Sequence, residues 1–363
     1  MAEPQNLYLN PVVEIWVQND IIKDPINVET VLDLDFMADQ FSFTIDNTDG
    51  VNMYKYKKYD QIQIWAGYDK PDTIIFTGVI EKIKPQANND GDTVTFTGKN
   101  MAFLLMQRNC AAPYDYSGRD VKDMVVRMLQ NNFAGERFGE MDVITLLTAK
   151  LRPIPIQMNL RLTKSDTIAK ALAKIKERVA YEVWMEPEGY LRIEPLSILM
   201  ENQTPAVTLT YGENLIEATI EDLGNRINTI EVYGYHPEDY AAVQDIVARQ
   251  EAGGEVRSEV IRDRSLVGYD ACLKKAVEEL LQKSKTFKVT ATTIFLPGIK
   301  QGSMVYIDCF KIGVTGLFVV ERVEHKISAS EVYTKLYCFG GIVSRLPESF
   351  VKNKMARIVV LTK

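Results

Sequence analysis

One strand pattern occurs twice in this chain, and this repetition restricts the possible folds more than any other feature of the sequence. Residues 58–84 read KYDQIQIWAGYDKPDTIIFTGVIEKIK, and residues 300–326 read KQGSMVYIDCFKIGVTGLFVVERVEHK. Each stretch has a basic start, an alternating strand, a loop and a longer apolar strand, and each is followed by a closing strand that ends in glycine, at Gly98 and Gly340. Four elements in the same order and spacing favour duplication of one β domain over coincidence between two unrelated meanders.

Other short strands surround the first stretch. Residues 11–17, 30–34, 40–45 and 93–98 are rich in β-branched and aromatic residues, and Asn, Asp and Gly turn signals separate them. Residues 1–105 are therefore predicted to form an antiparallel β domain, expected to be a barrel.

Helical spacing begins after Gly98. Two helix-start signals, Ser117-Gly118-Arg119-Asp120 and residues 163–166, precede apolar residues spaced for one helix face. Prolines in residues 151–162 exclude a helix and suit an edge strand or an extended connector. With a hairpin turning at residues 186–189, the pattern predicts a middle α+β unit at residues 106–203.

Strand character returns in residues 204–340, at 208–211, 225–234 and from Phe287 onward. A helical insertion is predicted at about 237–284, with a short surface helix at 237–252 and an amphipathic helix at 269–284. Residues 341–363 are predicted to be a C-terminal docking tail, because Ile358, Val359, Val360 and Leu361 resemble a strand that needs a partner. The predicted fold is mainly β with α+β insertions: two similar tube-like β-barrel domains plus a middle α+β unit.

Composition restricts the class of protein further. Of the 363 residues, 46% are hydrophobic and 25% are charged, as in folded water-soluble domains. A formal charge of -7 without long basic runs argues against tight binding to a nucleic-acid backbone. There is no leader-like start and no long apolar run, which predicts synthesis in the cytoplasm and no membrane span. The four cysteines lack metal-site spacing and are expected to be buried thiols.

No catalytic or cofactor motif is recognisable. Residues 91–100 resemble a phosphate loop only superficially, because their glycines are too far apart and Asn100 replaces Ser or Thr. Only two histidines are present, His236 and His325, so a zinc site is not expected. Glu321 and Glu324 near Glu331 could suggest a glycosidase pair, but the first two point to opposite faces of a strand. We therefore predict no catalytic site, no metal and no cofactor.

A tyrosine cluster is the other candidate site. Tyr54, Tyr56 and Tyr59 alternate with lysines, a pattern that can stack on single-stranded nucleic acid. Because the chain is acidic, a subunit contact or a solvated loop is the preferred interpretation. These tyrosines and the strand-like tail residues are the predicted partner-binding residues.

A family resemblance is carried by YDQIQIWAG, IIFTGVIEKIK and TFTGKNMAFLL, by DTIAKALAKIKERVAYEVWMEPEGYLRIEP, and by LPGIKQGSMVYID with GLFVVERVEHKISASEVYTKLY. In these stretches the sequence resembles the central baseplate hub protein of contractile phage tails and tail-like bacteriocins, the late-control D or tail hub family. The resemblance covers roughly residues 10–340. The charged segment 238–264 and the residues after Gly341 match less well.

The resemblance implies a structural, non-enzymatic role in a virion or tail-like particle that is assembled in the bacterial cytoplasm. Three chains would present six barrels in a pseudo-sixfold ring, closed by strand pairing, and would adapt a sixfold tail tube to a threefold spike. Implied partners are the tube protein, the central spike, other baseplate proteins, and the tape-measure protein and DNA that pass through the channel. A weakly acidic bore would not retain a polyanion.

The alternative function is a tail-associated cell-wall-degrading enzyme with β docking modules. It requires a convergent acid/base or metal constellation, and the sequence reveals none.

Overall fold

The computed structural model describes residues 10–361 except 19, 36, 38, 88, 90, 111–113, 116–118, 155, 159, 202–203, 224–226, 284, 286 and 341–357. Several predictions fall partly outside the described residues, among them the Ser117-Gly118 part of the first helix-start signal, the start of the strand at 225–234, the boundary at residue 203, and most of the docking tail.

The first repeat is an antiparallel sheet around an aromatic core. Its strands run in the order β3-β4-β7-β6-β5-β1-β2. Period-two alternation buries every second side chain of β4 and β7, as the sequence predicted. Phe43, Phe76 and Phe96 are fully buried, and the rings of Phe43 and Phe96 stack with centroids 5.0 Å apart. The elements are β1 (Pro11–Val17), β2 (Asp20–Lys23), β3 (Asn27–Asp33), β4 (Gln40–Asp46), α1 (Asn52–Lys55), β5 (Gln61–Tyr68), β6 (Thr73–Gln86) and β7 (Thr93–Asn100).

A middle α+β unit follows. Its two main helices begin at capping side chains: Asp120 accepts from the Lys122 N–H, and Thr167 accepts from the Lys170 N–H. Asp166, in the second predicted start signal, instead pairs with Lys174 at 2.9 Å. The elements are α2 (Ala102–Gln107), β8 (Tyr114–Asp115), β9 (Arg119–Asp120), α3 (Val121–Phe133), β10 (Arg137–Phe138), β11 (Met141–Asp142), α4 (Val143–Thr148), β12 (Gln157–Met158), β13 (Arg161–Leu162), α5 (Ile168–Val179), β14 (Glu182–Met185), β15 (Leu191–Glu194) and α6 (Leu196–Glu201).

The second repeat has a long insertion between its second and third strands. The predicted surface helix at 237–252 is correct only in its second half, where a helix spans Ile246–Glu251. Residues 240–245 instead form a strand that pairs with Thr229–Tyr233, and the side chains of 241–245 are buried. The elements are β16 (Val207–Thr210), β17 (Leu215–Asp222), β18 (Thr229–Tyr233), β19 (Tyr240–Asp245), α7 (Ile246–Glu251), β20 (Ser258–Arg262), α8 (Tyr269–Lys283), β21 (Phe287–Thr293), β22 (Met304–Cys309), a 3-10 turn (Phe310–Ile312), β23 (Val314–Ser328), β24 (Val332–Gly340) and β25 (Ile358–Leu361).

The insertion packs on the middle unit. Cys272, Ala276 and Leu280 of α8 belong to the same buried cluster as Leu172 and Ile175 of α5. All four cysteines are buried free thiols, as predicted. The domain limits stay predictions.

Strand pairing aligns the two repeats. The order β5-β6-β7-β4-β3 of the first repeat matches β22-β23-β24-β21-β17 of the second, antiparallel throughout. One strand differs, because β1 is antiparallel to β5 whereas β16 is parallel to β22. The predicted mainly β fold with α+β insertions is confirmed.

The two repeats share one sheet within the chain. Residues 322–328 of β23 pair antiparallel with β3, from Arg322 opposite Asp33 to Ser328 opposite Asn27. We call this pairing the repeat junction. It produces an eight-stranded path, β6-β7-β4-β3-β23-β24-β21-β17, which we call the joined sheet.

Apolar contacts on the core side of the sheet stabilise the repeat junction. Phe295, in the loop after β21, and Ile327 lie in the core of the first repeat together with Phe43 and Phe76. The Tyr68 hydroxyl donates to the Phe295 carbonyl, and the two rings are 5.9 Å apart. The first repeat therefore completes its core with a side chain from the second.

His325 is the buried polar group of the repeat junction. Its Nδ1 lies 2.9 Å from the Thr334 hydroxyl, and its ring is 5.5 Å from that of Phe295. Burial lowers the pKa of His325 to about 3. The imidazole is therefore neutral, which fits a structural residue inside a strand.

We expect Phe295→Ala to lower the free energy of unfolding by about 3 to 5 kcal/mol, because it empties a core site that both repeats share. Urea unfolding followed by circular dichroism measures this. Phe310→Ala is the matched control, since Phe310 is 72% exposed and its removal should cost less than about 0.5 kcal/mol. Equal losses for the two variants would contradict the shared core.

We expect His325 to make stability depend on pH. Its folded pKa lies below the ordinary value of 6.5, so its full contribution is present above pH 6.5 and decreases as the pH falls toward 3. At pH 5 the loss should be about 2 kcal/mol.

Urea unfolding at pH 7.5 and pH 5 measures this loss, and His325→Gln should remove it. The exposed His236 provides the control variant, His236→Gln, which should retain the wild-type dependence. A His325→Gln chain that loses as much stability in acid as the wild type would contradict this assignment.

Candidate subunit interface

The joined sheet has an apolar face and a polar face. Side chains on the polar face lie opposite one another across every strand pair; Lys84 opposes Thr95, and Glu324 opposes Lys335. On the first repeat this face is concave, with a cleft of about 360 Å³ between β3 and β6. Its side chains are Lys82, Lys84, Thr95, Thr97, Lys99, Gln40, Ser42, Glu29, Val31, Asp33, Arg322, Glu324, Lys326, Tyr333, Lys335, Tyr337, Lys288, Thr290, Thr292, Glu217, Thr219 and Glu221.

Strand β17 ends the joined sheet on one side. It pairs with β21 along one edge, and no described strand lies along its other edge. Its polar side chains are exposed, Ala218 and Ile220 are half-buried against the core of the second repeat, and Ile216 is 57% exposed. This strand was not among those predicted from the sequence, although the alternation of Ile216, Ala218 and Ile220 with polar residues is typical of a strand.

The end of β6 is the other edge of the joined sheet. Pairing with β5 stops at Val79, and Ile80 then exchanges backbone hydrogen bonds with Tyr59 and Asp60. From Lys82 onward β6 pairs only with β7 among the described strands. Lys82 and Lys84 are exposed on this free edge.

The predicted tyrosine cluster divides into one buried and two exposed side chains. Tyr54 and Tyr59 are 74% and 65% exposed. Tyr56 lies in the core of the first repeat and donates a hydrogen bond to Asp20. Burial raises the pKa of Tyr56 to about 12. Tyr56 therefore contributes to the core of its own chain, while partner contacts by Tyr54 and Tyr59 stay a prediction.

The predicted tail strand has a partner in its own chain. Ile358–Leu361 forms β25 and pairs antiparallel with β19, as the outer strand of the sheet β20-β18-β19-β25. Val359, Val360 and Leu361 are 36%, 46% and 37% exposed. Binding of another protein by this segment stays a prediction.

An acidic cleft of about 350 Å³ lies beside the repeat junction, between Asp33, Glu321 and the helical layer. Burial raises the pKa of Asp33. Burial also opposes ionisation of Glu182, but Lys285, Lys176 and Gln282 outweigh it and lower the pKa of that carboxyl. Ion pairs therefore tie α5 and Lys285 to the hairpin β14-β15, and Gln282 of α8 donates a hydrogen bond to the same carboxylate.

The three carboxylates considered for a glycosidase pair bind different cations. Glu321 lies 3.9 Å from Lys285, Glu324 lies 2.5 Å from Arg322, and Glu331 lies 2.6 Å from Lys326. Across the part of the chain that the structure describes, no group of three or more His, Cys, Asp and Glu side chains could hold a metal ion. Among the described helices, none is long and apolar enough to cross a membrane.

Comparison with known proteins gives a likeness in structure only. No protein-family model matches the sequence, and no curated protein does. The tail protein from Neisseria meningitidis MC58 matches with a TM-score of 0.68 at 16% identity, over 91% of this chain and 97% of that one.

Two further structures match over most of this chain. The prophage MuSo2 43 kDa tail protein from Shewanella oneidensis gives a TM-score of 0.66 at 12% identity, over 91% of this chain and 98% of that one. An Escherichia coli component of the type VI secretion system, described as structurally similar to T4 bacteriophage tail proteins, gives 0.53 at 8% identity, over 90% and 76%. The chain therefore has the fold of phage tail proteins.

Proposed function

We propose that this chain is a structural, non-enzymatic hub subunit of a contractile tail. Three chains form a ring around a channel, and the ring adapts a sixfold tail tube to a threefold spike. The observation that carries the proposal is the repeat junction: two equivalent sheets already stand side by side in one chain, joined by strand pairing. A homotrimer built the same way presents six equivalent sheets.

The shared fold supports a role in a phage tail or a tail-like particle. Two matching structures are named as tail proteins, and a third as a component of the type VI secretion system. On this proposal the chain contacts the tube protein, the central spike and other baseplate proteins, within a particle assembled in the host cytoplasm. The tape-measure protein and DNA pass through its channel.

The polar face of the joined sheet suits the channel wall, because its side chains are mostly polar and it is concave on the first repeat, whereas the opposite face is the core. This face carries lysines and an arginine as well as carboxylates, with Lys82, Lys84 and Lys99 grouped on the first repeat. A channel lined by this face would therefore not have the acidic bore expected from the net charge.

Equivalent loops of the two repeats differ in a way that suits a threefold partner. The turn after β5 is polar, and Lys70 and Asp72 there are 3.7 Å apart. The corresponding turn after β22 exposes Phe310 and Ile312, at 72% and 39%. A ring of three chains would therefore present three apolar turns alternating with three polar ones.

We expect the purified chain to have a molar mass of three times 41.2 kDa, because the two free edges of the joined sheet become paired in the ring. Light scattering across a wide concentration range measures this mass. Particle images should show six lobes with threefold symmetry. A mass of 41.2 kDa at every concentration would contradict the proposal.

We also expect the chain to leave purified cell walls intact, because Glu321, Glu324 and Glu331, the carboxylates considered for a glycosidase pair, bind different cations. Wall turbidity after addition of the chain should match a buffer blank, with lysozyme as the positive control. Reproducible clearing would favour the cell-wall-degrading alternative.

A further inference from the structure

The duplication identifies equivalent positions in the two repeats. In the first repeat, Ile80 exchanges backbone hydrogen bonds of 2.7 and 3.0 Å with Tyr59 and Asp60. In the second, Val320 does the same with Gly302 and Ser303, at 2.8 and 2.9 Å.

A β-bulge follows immediately in both repeats, between Ile80 and Lys82 and between Val320 and Arg322. Lys82 to Gln86 therefore correspond to Arg322 to Lys326. The same register places Gly98 at the position of Cys338, so the two closing glycines suggested by the sequence are not equivalent.

Strand β3 corresponds to β17 by the same reasoning. Thr30 pairs with Phe41, which pairs with Gly98, whereas Ile220 pairs with Val289, which pairs with Cys338. Since Gly98 and Cys338 are equivalent, Thr30 and Ile220 are equivalent too.

These correspondences show which strand edges lack a hydrogen-bonded neighbour among the described strands. In the second repeat, the part of β23 after the bulge is covered by β3. Its counterpart after the bulge of β6 has no described strand on that edge, and β17, the counterpart of β3, has none on its outer edge. Each chain therefore has one edge of each kind, which is the requirement for a head-to-tail contact between identical chains.

We propose that β17 of one chain pairs antiparallel with Lys82 to Gln86 of a second copy of this chain, with Glu221 opposite Lys84. The register is that of the repeat junction, in which Val31 lies opposite Glu324. This inference rests on the proposed ring and specifies the edges that close it. Closure continues the joined sheet from chain to chain and leaves it without a free edge.

The charges of the two edges are complementary. Glu217, Glu221 and Asp222 give β17 an acidic edge, and Lys82 and Lys84 give the end of β6 a basic one. The repeat junction has the same polarity, since the acidic residues of β3 face basic residues of β23: Asp33 opposes Arg322, and Glu29 opposes Lys326.

Pro85 limits the extent of the contact. It corresponds to His325 and would lie opposite Ile220, where it has no N–H to donate. A proline on an edge strand also discourages unlimited strand addition. The chain-to-chain ladder is therefore short, and its directly opposed charge pair, Lys84 with Glu221, contributes much of its specificity.

A disulfide tests the register. Residues directly opposite on antiparallel strands have Cβ atoms about 4.5 to 5.5 Å apart, close enough for cross-linking with small adjustments. Lys84→Cys combined with Glu221→Cys should form covalent dimers and trimers when the purified chain is oxidised with diamide. The bond must join different chains, because these residues lie on strands at opposite ends of the joined sheet.

Two controls accompany the cross-link. Lys84→Cys with Glu217→Cys keeps both cysteines exposed but moves one of them four residues along β17, and it should not cross-link. The four native cysteines are buried and should give little background.

A charge exchange tests the same pair without oxidation. Lys84→Glu should weaken assembly roughly tenfold per interface, and adding Glu221→Lys should restore it. Both positions are exposed, so each variant should fold.

The outcomes separate this inference from the proposed function. A trimer that forms without the Lys84–Glu221 cross-link, or that cross-links equally through Glu217, overturns the proposed register and leaves the ring intact. A chain that stays monomeric overturns both. Specific cross-linking together with charge rescue supports both.

Discussion

The requirement that every edge strand find hydrogen-bond partners organises this molecule. An uncovered strand presents a row of backbone N–H and C=O groups that attracts further strands. Inside the chain, β3 meets this requirement for the second half of β23, and the result is one sheet through both repeats. Within the joined sheet, the edges that no described strand covers, on β17 and after the bulge of β6, are of complementary type and charge.

The bulges at Glu81 and Glu321 allow one long strand to serve two neighbours. Before its bulge β23 pairs with β22, and after it the same edge pairs with β3. A bulge bends the strand and increases its twist, which turns the second half away from its own repeat. Phe295 and His325 then lock the position from the core side, since a neutral imidazole and an aromatic ring pack there without a buried charge.

The two repeats share a skeleton but differ in what is attached to it. The first keeps short turns, whereas the second carries an insertion whose helix α8 shares a core with α5 of the middle unit. The hairpin β14-β15 is held by ion pairs to α5, to Lys285 before β21 and to Lys300 before β22. Such attachments make alternate positions around a ring unequal, which is what a threefold partner requires.

The sequence by itself determined the strand alternation of the first repeat, the duplication, the two main middle helices α3 and α5, and α8. These features depend on local periodicity and on capping residues such as Asp120 and Thr167. The local sequence pattern failed to predict burial that depends on residues far away in the chain. Most of the apolar residues of β17 are only partly buried at the end of the sheet, and Tyr56 resembles Tyr54 and Tyr59 in its local sequence although only it reaches the core.

Only the tertiary structure decided the contacts between segments far apart in the chain. Residues 240–245 became a strand because β18 and β25 lie beside them, and Phe295 entered the core of the first repeat because β23 pairs with β3. The same holds for the free edges. Whether a strand has one neighbour or two depends on the whole sheet, so the surface available to another chain appears only once the joined sheet is assembled.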